Sequence, residues 1–159
     1  MADGRVVMSL YVAVLAGMLL CGLLPSCGSD DSRAMEEQIL ADAKTSSDSG
    51  EEFTVKLEEG TTGAFLLCPY TSEASLPDDV RSAVDEENVD LRQDGAQYIV
   101  SATEDGVVDV AEVRSRQGVD FCTAEEDWSS PYWYEFEPDQ SFRAVESETS
   151  ADVYEISRT

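Results

Sequence analysis

The sequence predicts an α+β fold, a single small domain built on a mainly antiparallel β-sheet with one main helix. Three observations predict it. Apolar and polar residues alternate with a period of two in several runs beyond Gly50. The dipeptide Asp105-Gly106 sits between two β-rich runs, where it favours a tight hairpin. Helix-start chemistry occurs at one place, Ser75-Leu76-Pro77-Asp78. Of the 159 residues, about 130 follow an apolar leader, enough for one core and too few for two.

Each element has its own signal. Phe53, Val55 and Leu57 alternate with Thr54, Lys56 and Glu58, the mark of a half-buried strand. Ala64 to Cys68 is an unbroken apolar run suited to a central strand. A helix is expected from Leu76 to Glu87: Ser75 caps it, Pro77 occupies the first turn, and Asp78 and Asp79 lie at the positive end of the dipole. It would turn Leu76, Val80 and Val84 inward. The hairpin spans Gln97 to Arg114; pairing Glu104 with Val107 sets Tyr98 opposite Val113 and Val100 opposite Ala111. Val119 to Cys122 reads as a further strand, and Ser141 to Val145 with Val153 to Ile156 as a closing pair around the polar stretch Glu146 to Asp152. There is no internal repeat.

The segment from Gly28 to Gly50 is rich in Ser, Asp, Glu and Ala and ends in Thr45-Ser46-Ser47-Asp48-Ser49-Gly50. Such a composition buries too little apolar surface to offset its ordering entropy, so a disordered tether is expected. Met35, Ile39, Leu40 and Ala43 fall near helical spacing, which allows a frayed helix from Ser32 to Lys44.

The leader itself is apolar from Val6 to Leu24 and runs through Leu24-Pro25-Ser26-Cys27 into the polar Gly28-Ser29-Asp30-Asp31-Ser32. Leu24 to Cys27 resembles the lipobox of bacterial lipoproteins, with a branched aliphatic residue three places before the cysteine and small Ser26 just before it. Cys21 follows bulky Leu20 and fits less well. The resemblance covers the leader alone. It implies cleavage between Ser26 and Cys27, a diacylglycerol on the Cys27 Sγ, and attachment to the outer face of the cell membrane. The chain then divides into a signal peptide over 1–26, a lipidated flexible linker over 27–50 and an acidic, disulfide-closed domain over 51–159. Two acyl chains hold a protein stably where one does not. An uncleaved membrane anchor and ordinary secretion are the alternatives; all three place the domain outside the cytoplasm. Small acidic lipoproteins of this layout are similar to those of high-GC Gram-positive bacteria, and arginine outnumbers lysine here.

With the leader removed and Cys27 acylated, Cys68 and Cys122 are the remaining cysteines. In an oxidising compartment a disulfide between them is expected, with two buried free thiols as the alternative.

Composition excludes much else. Against 34 acidic residues stand 10 basic ones, for a formal net charge of −24, so phosphates of nucleic acid are repelled and no nucleic-acid partner is expected. There is no histidine, which removes imidazole bases, Ser-His and Cys-His nucleophilic pairs and His-containing metal sites. Phosphate-cradling glycine loops are missing. Asp85-Glu86-Glu87-Asn88-Val89-Asp90 gathers oxygens but lacks the ordered loop of a calcium site and reads as a solvated helix end. No cofactor and no metal are expected. A pair of carboxylates suffices for glycoside hydrolysis, yet in so acidic a chain adjacent acids carry no information, and the reading is non-catalytic.

The candidate partner surface is the aromatic stretch Trp128, Tyr132, Trp133, Tyr134 and Phe136 around Pro131. Aromatic rings complete cores, stack on sugars or anchor protein interfaces. Alternation turns Trp128, Tyr132, Tyr134 and Phe136 inward and leaves Trp133 outward, with Tyr132 and Tyr134 beside it. These observations give a lipid-anchored, extracytoplasmic binding or interaction module with an envelope protein or glycan as partner. An accessory subunit of a membrane complex and a carboxylate-dependent envelope hydrolase are the alternatives.

Overall fold

A computed structural model of the chain describes residues 29–114, 118–123 and 132–159. In chain order the elements are helix α1 (Ser29–Ser49), strands β1 (Phe53–Thr54) and β2 (Gly63–Leu67), a 3-10 turn (Glu73–Ser75), helix α2 (Asp78–Glu86), and strands β3 (Ala96–Thr103), β4 (Gly106–Arg114), β5 (Val119–Asp120), β6 (Trp133–Phe136), β7 (Ser141–Glu146) and β8 (Tyr154–Arg158). They form an α+β domain with two four-stranded sheets, one in the order β4-β3-β2-β6 and the other in the order β1-β7-β8-β5. The first is antiparallel throughout. In the second, β5 runs parallel to β8 and the other pairs are antiparallel.

The apolar run Ala64 to Cys68 is unbroken because both faces of β2 are covered. Ala64, Leu66 and Cys68 join Ile99, Val113 and Phe136 in a core against α1 and the second sheet. Phe65 and Leu67 point the other way and join Tyr98 and Val100 beneath α2, whose Val80 and Val84 are buried. The first core is knit by rings: Phe142 meets Phe121 and Phe136 edge-on, at 5.7 and 5.4 Å between centroids, geometry that suits the aromatic quadrupole.

Four sequence expectations need correction. The flexible linker is, from Ser29 on, a 21-residue helix with Ile39 and Ala43 wholly buried in the first core. Packing supplies what the composition lacks, as it does for most short helices. The hairpin is present but its register differs: Thr103 pairs with Gly106, Tyr98 with Glu112 and Val100 with Val110. A one-residue slip exchanges the two faces of a strand, and an irregularity between Ser101 and Ala102 takes up the extra residue. Ser75 is not a helix cap. Pro77 holds the cap position of α2, and the Ser75 hydroxyl donates to the Ser72 carbonyl at 2.6 Å. Finally, only two residues of the Phe53 to Glu58 alternation form a strand, although Val55 is buried and Phe53 and Leu57 pack against the first core as the alternation requires.

Candidate binding surfaces

Cys27 and Trp128 lie outside the described residues. The other singled-out residues cluster around one end of β2. Cys68 and Cys122 are joined by a disulfide, with Cα atoms 5.9 Å apart; the bond ties the end of β2 to the segment after β5, and so ties the two sheets together. Buried Gln97 reinforces the junction. Its side-chain amide donates to the Val119 carbonyl at 3.1 Å, and its side-chain oxygen accepts the Phe121 N–H at 2.7 Å. The Asp120 carboxylate accepts the N–H groups of Cys122 and Thr123 at 2.7 and 2.9 Å.

Beside the disulfide, the aromatic stretch divides between faces. Tyr134 and Phe136 lie on the first core, as alternation predicts, and Arg158 stacks over the Tyr134 ring at 4.2 Å. Trp133, expected to face solvent, is half-buried instead. It packs on the second core with its ring 5.9 Å from that of Phe65, and its indole N–H donates to the Ser75 hydroxyl at 3.1 Å. The face opposite the first core is not solvent here, because α2 and the turn before it cover it. Tyr132, expected inward, precedes β6 with φ of 61° and is 42% exposed.

Tyr132 has a counterpart. Tyr70 also adopts a left-handed backbone, with φ of 67°, and is 60% exposed. For a residue with a bulky side chain this region costs about 1–3 kcal/mol, so the surroundings must impose it. The Tyr132 carbonyl accepts the Cys68 N–H at 3.0 Å and lies 2.6 Å from the hydroxyl of buried Thr71, which also reaches the Cys68 carbonyl at 2.8 Å. The Tyr70 N–H donates to the Leu91 carbonyl at 2.6 Å, and its phenol donates to Asp94. Two exposed tyrosines thus share one hydrogen-bonded rim, with a hollow of about 430 Å³ beside Tyr70 and Arg92. Neither Tyr70 nor Thr71 carries a local signal that separates it from an ordinary loop residue, and their role follows only from the tertiary hydrogen bonds.

A second concavity, of about 870 Å³, lies between α1 and the segment after α2. Tyr98, Val110, Glu112 and Arg114 from the hairpin line it, with Leu40 from α1 and Val89 opposite. Its charges are mostly acidic: Glu36, Glu37, Glu87, Asp90 and Glu112 against Arg33 and Arg114. Both arginines are already engaged, Arg33 with Glu37 at 3.0 Å and Arg114 with Glu112 at 2.9 Å. The Glu36 carboxylate accepts the Arg114 backbone N–H at 3.1 Å. Burial pushes the Tyr98 phenol above its ordinary pKa, with Glu112 and Asp90 adding to the rise and Arg114 opposing it. The hydrogen bond and charge of Glu112 hold Arg114 firmly protonated.

Among the described residues no three acidic or cysteine side chains gather closely enough to hold a metal ion; of the stretch Asp85 to Asp90, Asp85 and Glu86 close α2 and the rest follows it, exposed except for Val89, which packs against the second core. No helix among the described residues is long and apolar enough to cross a membrane. Comparison with family models, curated proteins and solved structures finds no match to this chain.

Proposed function

We propose that this chain is a lipid-anchored module on the outer face of the cell membrane, attached through Cys27, that binds a partner without transforming it. The observation that supports the reading is the rim, where Tyr70 and Tyr132 are exposed on backbone held in a left-handed conformation. Aromatic side chains with few rotatable bonds lose little entropy on binding, and rigid, exposed rings are typical anchors of protein interfaces and of sugar recognition. Strain stored at an exposed aromatic pair is costly unless the conformation is used. The partner is an envelope protein or glycan. The surface charge of −24 disfavours nucleic acid and direct docking on anionic headgroups.

Crosslinking in intact cells followed by purification of the full chain from membranes tests the reading. The wild-type protein is expected to carry a crosslinked partner that the double variant Tyr70→Ala, Tyr132→Ala loses while keeping its circular dichroism. An unchanged crosslink in that variant overturns the assignment of the rim. Cys27→Ser tests the anchor separately: the variant should leave the membrane fraction or accumulate as precursor, and a Cys27→Ser protein that still fractionates as a mature lipoprotein overturns it.

A further inference from the structure

The acidic cleft between α1 and the hairpin has an electrostatic preference and a shape, and a second observation gives it a recognition point. Tyr98 is only 7% exposed. Its ring packs in the second core while the residue lines the cleft. Among the described residues its hydroxyl has no hydrogen-bond partner, yet it is not one of the enclosed, unpaired polar atoms; it opens on the cleft. A nearly buried phenol facing a cleft offers one oriented oxygen to whatever enters.

The geometry points to the cleft as a binding site for primary ammonium groups on an alkyl stem. Three features select that chemistry. The lining carries five carboxylates against two guanidinium groups that are already paired, so an anion would meet net repulsion and a cation net attraction. The carboxylates come from α1, from the segment after α2 and from β4, and no three of them converge on one point. That spacing suits charges spread along a chain better than a compact divalent ion, which needs oxygens at one centre. Leu40, Val89 and Val110 supply apolar surface between the acids, where methylenes of the stem are removed from water. An ammonium N–H donates to the Tyr98 hydroxyl oxygen, with Glu112 and Asp90 close enough to act on the phenol and so on a cation beside it. Burial and these two acids hold the phenol protonated; it meets the ammonium as a neutral acceptor. The cleft shares no lining residue with the hollow beside Tyr70, so the proposal stands or falls independently of the tyrosine rim.

Free polyamines and lysine side chains of another polypeptide carry this same group, and calorimetry on the full-length chain in non-ionic detergent at about 0.15 M salt distinguishes them. Spermidine and a capped tri-lysine peptide are the two probes. Saturable binding of one equivalent is expected; tighter binding of spermidine assigns the site to polyamines, and tighter binding of the peptide to a lysine-bearing partner. Tyr98→Phe keeps the ring in the core and removes the oxygen, and should weaken binding about five-fold. Glu112→Gln removes one cleft charge and releases Arg114 into the site, with a loss at least as large, and it decides the matter if the Tyr98 variant fails to fold. Glu148→Gln, exposed between β7 and β8, changes the net charge equally and should bind as the wild type does. Non-saturating binding of both probes, or an equal loss in Glu112→Gln and Glu148→Gln, overturns the proposal, since either result means diffuse attraction to an acidic surface.

Discussion

The Ser46 hydroxyl accepts the backbone N–H of Ala144 at 3.1 Å across 98 residues of sequence, and itself donates to the Glu51 carbonyl at 2.5 Å. Ser46 is 2% exposed. One small polar side chain therefore pins the end of α1 to β7. Ser46→Ala leaves the buried Ala144 N–H without a partner and should cost about 1–3 kcal/mol. Urea unfolding of the full chain measures it, and an unchanged midpoint would mean that α1 is not docked.

Gly118 makes the same argument from the other end of α1's buried stripe. Its φ is 147°, and a Cβ there would lie 2.6 Å from Leu40 Cδ1. Gly118→Ala combines backbone strain with a steric clash against α1 and should destabilise the domain by about 1–3 kcal/mol. A compensating Leu40→Ala should recover part of that loss by removing the clash, whereas independent effects would simply add.

Reduction of the Cys68–Cys122 bond, or Cys68→Ser with Cys122→Ser, frees a loop with a sequence separation of 54. The chain-entropy model gives a loss of about 4 kcal/mol, a large share of the stability of a domain this size. A reduced protein that melts within a degree or two of the oxidised one contradicts it.

Trp133→Ala empties a half-buried site against Phe65 and should cost about 2–3 kcal/mol, somewhat below the loss at fully buried aromatic positions. Trp133→Phe keeps most of the packing and gives up only the bond to Ser75, about 1 kcal/mol. Full stability in Trp133→Ala would restore the solvent-facing orientation expected from alternation alone.

Tyr98 sets a pH dependence. Its phenol is raised above the ordinary value of 10.0 in the folded chain, so the fold holds this proton more tightly than the unfolded chain does. The stabilisation is complete below pH 10 and is lost as pH rises from there through the folded value. Thermal unfolding between about pH 8 and pH 11 should show a fall in stability that is shallower in Tyr98→Phe; equal slopes would refute it.

Much of the fold is legible in the sequence because it rests on local patterns. The apolar run at β2, the Leu76, Val80 and Val84 stripe, the hairpin and the β7–β8 pair all follow from periodicity and turn chemistry. What is not legible depends on tertiary partners. The core-facing side of α1 continues past Ala43, which falls at helical spacing, to Ser46, which reads as a linker residue until β7 supplies an N–H for it to accept. The hairpin register turns on one irregularity beside Ser101, which no turn dipeptide announces. The orientation of Trp133 was decided by alternation in the right sense, but α2 covers the face it points to. The rim of Tyr70 and Tyr132 requires two distant loops to be brought together by Thr71, a relation with no sequence signature.

α1 is already helical at Ser29, two positions beyond Cys27 in the sequence, so a lipid on Cys27, as proposed, would lie only two residue steps from folded structure. Two steps span at most about 7 Å, less than the electrostatic screening length of about 8 Å at physiological salt. The protein would then be a post rather than a float on a leash. On that proposal its first helix would stand close to the headgroups, and repulsion between its carboxylates and an anionic leaflet would act as a torque about that pivot. Such a torque would narrow the range of tilts that the domain samples about its anchor.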